Sequence, residues 1–493
     1  MRIGLTTAFA ALALAGCADP SADRSLTFII PQRYSEPPGR TSEPRLDRWW
    51  TRFRSSELNR LVAMAEGGNF DIATAMARLD QADAQARVSG AALFPTVGFS
   101  ADAQDSRSSG TTQTGFISSP KPRGSLDVGL SASYVLDIWG KLRDSKRAAE
   151  MTAQASAFQI DAVRLTTQGS VINAYLQYAL ALEELRIAND NLRSAERILG
   201  VIQQRLSAGT GTALDIAQQE SLVANQRASI PPLRQTAANA RTTLALLVGR
   251  PPQGFEVRAA AFGGLAAPRV APGIPSALLL RRPDIRAAEA SLAAADANLD
   301  AARKALLPSI ELTGQGGFQS AMLRTLFRPE SAFFSIAAGL TQTVFDGGKL
   351  QSQVDLSDAQ RRELLETYRK SIVSALTDVE NALVAIRESD RRDAALRVSV
   401  DKARTAFNLS EERLRQGTID LVTLLNTQQT LFQAQTSLAQ SRFSRLQASV
   451  SLFQALGGDF ADRPQVTRIA RNDKAGANGL LNSTAPMAEE PQR

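Results

Sequence analysis

Two hydrophobic periods alternate along this chain. Between residues 125 and 134 every second position is apolar: Leu126, Val128, Leu130, Ala132 and Tyr134 are separated by serines, an aspartate and a glycine. Residues 96–103 repeat the pattern. In the other half Ile310, Leu312 and Gly314 alternate with Ser309, Glu311 and Thr313, and Ile336, Ala338 and Leu340 with Ala337, Gly339 and Thr341. Period two predicts strands, and runs of roughly ten residues match what a tilted strand needs to cross a bilayer. Alternation alone fits a half-buried strand of a soluble sheet at least as well. The connections near 105–124 and 318–332 shift the balance, because they are long, rich in Ser, Thr, Gly and Arg, and suited to an exposed rim.

The second period belongs to coiled coils. Leu185, Leu192, Leu199 and Leu206 recur every seven residues, and Val171, Tyr175, Tyr178 and Leu182 extend the row upstream. Val400, Phe407 and Leu414 make a matching row, answered by Leu424, Leu431 and Leu438 on a return segment. The predicted helices begin at Lys141 and Lys349 and meet no stop before Gly209 and Gly417. At about 1.5 Å per residue each is a rod roughly 100 Å long. Gly209-Thr210 and Gly417-Thr418 then turn the chain into an apolar return, giving two antiparallel hairpins. Pro231-Pro232 predicts a break or kink partway along the first return helix.

These elements occur twice. RLSAGT at 205–210 returns as RLRQGT at 413–418, Leu247-Val248-Gly249 as Ala455-Leu456-Gly457, and Gly140-Lys141-Leu142 as Gly348-Lys349-Leu350, each 208 residues on. ALFPT at 92–96 matches ALLPS at 305–309 with a displacement of 213. A unit this large is a duplicated architecture of helix, strand, loop, strand, long helix, turn and helix, rather than a short solenoid repeat.

Composition narrows the chemistry. The chain has 493 residues, a net charge of +7, one cysteine and no histidine. Without histidine the usual general base and commonest metal ligand are gone, so catalysis and metal or cofactor binding find no support. The positive charge is dispersed, which argues against nucleic acid. No apolar run is long enough for a membrane helix. Residues 1–16 read as a signal peptide, with Arg2 ahead of a short apolar core ending in Leu14-Ala15-Gly16-Cys17. That ending resembles a bacterial lipobox, with Cys17 the lipidated first residue of the mature protein; Ala18 after it implies delivery to the outer membrane.

Four spanning strands cannot stand alone in lipid, since their two edges would leave backbone groups unpaired. They must close with copies of themselves: two chains would give a barrel filled by side chains, three would open a bore. Gly140 and Gly347-Gly348 fall where each strand becomes a rod and the backbone must bend. Asp346-Gly347-Gly348-Lys349 has a passing likeness to a phosphate loop, but lacks the first glycine and the hydroxyl after lysine.

The chain resembles the TolC-like outer-membrane factors of tripartite efflux systems, and most of all their lipoprotein, NodT-type branch. The resemblance is carried by Trp49-Trp50 with Phe53, Leu58, Asn69, Ala75, Arg78, Leu79, Gln81 and Ala82; by Leu136-Asp137-Ile138-Trp139-Gly140-Lys141; by Phe345-Asp346-Gly347-Gly348; and by Arg281-Arg282-Pro283-Asp284-Ile285 with Ala288-Glu289 and Pro308-Ser309. It covers roughly residues 45–460. It implies a mainly α protein with membrane β: four strands per chain, twelve in a homotrimer, continued by a long periplasmic α-helical barrel. It implies repeats over 46–250 and 276–460 and an equatorial linker over 251–275; by composition, residues 17–45, rich in Pro, Ser and Arg, read as a lipid-anchored tether and the tail over 461–493 as disordered. Function would be that of a passive exit duct in the outer membrane, opened when a periplasmic adaptor and an inner-membrane RND-type pump dock. The hairpin tips Gly209, Thr210, Gly417 and Thr418 would meet the adaptor.

One departure concerns the gate. Family members often carry an acid just past the second turn, where this chain has Thr423 and Asn426, with Asp420 nearer the turn and Asp215 equivalent to Thr423 in the first half. The expectation is a gate held by hydrogen bonds and packing near Thr423 and Asn426, with Asp215 or Asp420 in an ion pair. A periplasmic coiled-coil adaptor or scaffold lipoprotein without a pore is the alternative, disfavoured because two hairpins are each fed by paired bilayer-length strands.

Overall fold

The computed structural model describes residues 29–35, 48–106, 123–259, 261–268, 273 and 275–458. Cys17 and the tail over 461–493 lie outside them. After a 3-10 turn at Trp49–Phe53 come α1 (Ser56–Gly68) and α2 (Phe70–Ala91), then β1 (Thr96–Ser106), β2 (Arg123–Leu136), α3 (Lys141–Ser207) and α4 (Ala213–Leu247). The second half follows the same order: α5 (Leu278–Arg281), α6 (Pro283–Lys304), β3 (Ser309–Ser320), α7 (Leu323–Leu326), β4 (Ala332–Thr341), α8 (Lys349–Arg415) and α9 (Leu421–Ala455). The long helices α3 and α8 each have 67 residues, and each return helix has 35. Among the described residues no helix is long and apolar enough to cross a membrane.

The four strands form one antiparallel sheet in the order β1-β2-β3-β4. The two halves therefore meet along β2 and β3, while β1 and β4 are its edges. The hairpins α3–α4 and α8–α9 leave the sheet at the same end, and α2 and α6 pack along α3.

The main core lies well below the sheet. There Trp49 stacks on Phe453 with ring centroids 4.8 Å apart, beside Phe53, Leu58, Leu61, Ile172, Tyr175, Leu176, Leu244 and Ile372. Two polar pairs sit inside it: Trp49 Nε1 donates to Gln168 Oε1 at 3.2 Å, and Ser55 Oγ and Tyr175 Oη are 2.8 Å apart. One point of the stretch read as a tether touches this core. Tyr34 is buried in this core and the Ser35 amide donates to Glu380 Oε1 at 2.6 Å. A phenol ring amid Pro, Ser and Arg residues has enough apolar area to hold its segment down.

A second core nearer the tip joins the hairpins through Ile198, Ile202, Phe407, Leu414, Leu421, Leu424 and Leu431. In the expected second-half row Phe407, Leu414, Leu424 and Leu431 are thus buried, while Val400 and Leu438 are half-buried. The first-half row is buried upstream, at Val171 and Tyr175, and then rotates: Leu185, Leu192 and Leu199 are half-buried and Leu206 exposed, whereas Ile187, Asn191, Ala195, Ile198 and Ile202 are buried. A stripe repeating every seven residues drifts around a straight helix by about 20° per heptad, and small residues such as Ala195 let neighbouring helices approach most closely. At Pro231-Pro232, where a break or kink is expected, α4 stays continuous through both residues. The prolines are exposed, as are Arg227 and Ala228 one turn earlier, so water can serve the two carbonyls that lose a donor.

The duplication extends to one tight backbone contact. Gly249, at φ +70°, packs where α1 gives way to α2: a Cβ there would sit 1.9 Å from Gly68 O. Asn69 Nδ2 closes the joint by donating to Leu247 O at 2.8 Å. Gly457, at φ +90°, makes the equivalent contact where α5 gives way to α6, with Arg281 O 2.8 Å from its would-be Cβ.

Candidate functional site

The strand register sorts every position onto one of two faces. Val97, Phe99 and Ala101 lie opposite Ala132, Leu130 and Val128, and these continue through Gly314, Gly316 and Phe318 to Ile336, Phe334 and Ala332. With Tyr134, Ile310, Leu312 and Leu340 they form one apolar face that is largely uncovered among the described residues; Phe334 and Ile336 are each 84% exposed. The opposite face has Ser100, Asp102 and Gln104 on β1, Ser125, Asp127, Ser131 and Ser133 on β2, Glu311, Thr313, Gln315 and Gln319 on β3, and Ser335 on β4, interrupted by Val135 and Phe333. In water this sheet would expose its wrong side. In a bilayer the apolar face meets lipid and the polar face lines a water-filled bore.

At the junctions the backbone turns through left-handed glycines. Gly140 has φ +84° and Gly348 φ +88°, each the residue before its rod, and Gly347 has φ +68°. Each junction also has an aspartate that sequence reasoning did not single out. Asp137 accepts from the amides of Leu142 and Arg143 at 3.0 and 2.9 Å. Asp346 accepts from those of Gly348, Lys349 and Leu350 at 2.9, 3.1 and 2.9 Å. Burial opposes the Asp137 charge, but the two amides and the Arg143 guanidinium outweigh it and hold its pKa below the ordinary value. Asp346 is lowered chiefly by the Leu350 amide. Both acids serve the unpaired N–H groups at a helix start, and their signal was an aspartate placed a few residues before the first helical lysine.

The two tips are built alike. Gly209 has φ +76° and Gly417 φ +73°. Thr210 donates its amide and hydroxyl to Arg205 O at 2.9 and 3.1 Å, and Thr418 does the same to Arg413 O at 2.9 and 3.1 Å. Arg205 Nη1 reaches across to Leu414 O at 3.1 Å, tying the tips side by side, a contact with no local sequence signal. Asp215 forms a capping box with Thr212 at the start of α4. Asp420 caps α9, accepting from Thr423 N at 2.9 Å, and bonds to Thr423 hold its pKa below the usual value. Both carboxylates are thus occupied as caps; among the described residues neither makes the ion pair expected of it. Thr423 and Asn426 stand exposed on the first two turns of α9.

Known proteins share this geometry. The family model described as outer membrane efflux protein matches residues 61–250 and 274–458. The pyoverdine export outer membrane protein OpmQ of Pseudomonas putida is 41% identical over 92% of this chain and 97% of its own length. The probable outer membrane lipoprotein SilC of Salmonella typhimurium is 29% identical over 84% of this chain and 88% of its own. The open state of the MtrE outer membrane channel of Neisseria gonorrhoeae superposes with a TM-score of 0.75 at 28% identity, covering 87% of this chain and 98% of that one. The chain belongs to the outer membrane efflux protein family, and is the outer-membrane channel subunit of a tripartite efflux system, with a long periplasmic extension and no enzymatic role.

Proposed function

We propose that three copies of this chain close into one duct, with β4 of each pairing with β1 of the next in a twelve-stranded barrel and the hairpins continuing the wall as a helical barrel. One observation carries the reading: a four-stranded sheet has two unpaired edges, one apolar face and one polar face. In lipid the edges must find partners, and twelve strands leave room for a bore. Cys17 anchors each chain by its lipid. The tips around Gly209-Thr210 and Gly417-Thr418 receive a periplasmic adaptor and, through it, an RND-type pump. Closure of the bore rests on Thr423 and Asn426, because Asp215 and Asp420 are engaged as caps. Pyoverdine is the first cargo to test, given the extent of the match to the pyoverdine export protein.

Two neighbouring positions test the wall. Phe334→Arg puts a guanidinium into lipid, at a cost of about 2–4 kcal/mol near mid-bilayer, and should abolish recovery of folded trimer from membranes. Ser335→Arg points into the bore, and should leave the trimer intact while altering its conductance in planar bilayers. Equal tolerance of both changes, or recovery of a water-soluble monomer, refutes the barrel.

A further inference from the structure

The β3–β4 connection leaves the end of the sheet opposite the rods, and therefore faces the outside of the cell. It is folded rather than open. Ser320 Oγ and Thr325 Oγ1 are 2.6 Å apart, Ser331 Oγ donates to Thr325 O at 2.8 Å, and Leu326 is only 2% exposed. The ring of Phe327 meets Phe318 edge-on with centroids 5.7 Å apart. Phe318 belongs to the apolar face, opposite Val128 and Ala332, so the turn folds over the lipid side of the wall and away from the bore. Yet this ordered turn leaves large apolar groups in water: Met322 is 51% exposed, Leu323 71% and Phe327 69%. Arg324 and Arg328 lie among them, both exposed and neither in an ion pair among the described residues. Glu330 is the single carboxylate in 321–331.

We propose that this turn is a wedge seated in the outer leaflet, its apolar side chains among acyl chains and its two arginines on the phosphates of anionic lipid headgroups. Two observations favour lipid as the occupant. The patch is continuous with the apolar face of the wall through Phe318 and Phe327. Its exposed apolar groups are interleaved with guanidiniums, whose planar donors suit phosphate oxygens and whose stems lie along apolar surface. The proposal rests on the outer-membrane placement of the sheet and is independent of the cargo.

The test uses the full-length purified protein. Native mass spectrometry during titration with bisphosphorylated lipid A should show saturable binding, weakened by on the order of tenfold or more in Arg324→Ser/Arg328→Ser, since a charge-assisted hydrogen bond contributes about 1.5–3 kcal/mol. The same lipid without phosphates should bind both proteins alike. In vesicles, a thiol-reactive fluorophore on Leu323→Cys should be quenched by brominated acyl chains and not by aqueous iodide, with the unsubstituted chain measuring any signal from Cys17. Equal lipid A binding by the double variant overturns the proposal. So does quenching by iodide, which places the turn in water, or protection from both quenchers, which places a neighbouring copy over it. Unchanged pore conductance in the double variant would show that the duct itself is intact, so failure of the wedge and failure of the duct are separable.

Discussion

Replacing Gly249 by alanine adds one methyl group at the joint between the end of α4 and the start of α2, and the geometry sets the consequence. The residue has φ +70°, so any L side chain there bears a backbone penalty of about 1–2 kcal/mol. The new Cβ would also lie 1.9 Å from Gly68 O, a backbone atom that must retreat by about 1 Å or more to restore ordinary contact. Retreat is resisted because Asn69 donates to Leu247 O across the same joint and also caps α2. Overpacking of this kind costs about 1–3 kcal/mol, so the total is about 2–5 kcal/mol. Gly254 is the control: it has φ +72° with nothing within 4 Å of where its Cβ would sit, and should show only the backbone penalty. Gly457→Ala, with Arg281 O at 2.8 Å, should fall between them. Thermal unfolding of the purified channel, followed by far-ultraviolet circular dichroism, should rank the midpoints Gly249→Ala lowest, then Gly457→Ala, then Gly254→Ala. If Gly254→Ala lowers the midpoint as much as Gly249→Ala, the close backbone approach is not what those glycines serve.

Three further outcomes are expected. Burial, aided by the nearby Glu380, raises the Tyr34 phenol to about 12; a raised pKa means docking of residues 29–35 is fully stabilised below pH 10 and weakens as pH rises through 12. Difference titration of wild type against Tyr34→Phe should show that late midpoint, and an ordinary one near 10 would mean the segment is undocked in solution. Asp420 has a lowered pKa, so its cap is present above its usual value of 3.8 and is lost as pH falls through the lower folded value. Amide exchange in the first turn of α9 should accelerate in acid for the wild type but not for Asp420→Ser, which keeps a capping oxygen that does not titrate. Asn426→Ala should raise closed-state leak severalfold in planar bilayers; unchanged leak there, with opening by charge reversal at Asp215, would move the gate to the first hairpin.

Much of this molecule was legible residue by residue. Alternation at 125–134 and its counterparts located all four strands, and the register of Leu130 with Phe99 and Gly316 merely assembled their faces. Gly209 and Gly417 marked the hairpin turns because a left-handed backbone is a local demand, and Gly140 and Gly348 marked the junctions for the same reason. Lengths of the rods, the duplication and the lack of histidine were likewise properties of the chain read in order.

What tertiary structure alone decided are contacts between segments far apart in sequence. The Leu185–Leu192–Leu199 row looked like the seam, but α3 had to serve α4 and α9 as well, and turned Ile187, Ala195 and Ile198 inward. That Asp215 and Asp420 cap the return helices was settled by their hydrogen bonds. Ser35 could not be placed on Glu380, nor Arg205 on Leu414 O, from either local pattern. Backbone preference and hydrophobic period act over a few residues and are written where they act. Which faces of two rigid elements meet depends on the simultaneous packing of all the others, and no single stretch of the chain contains that information.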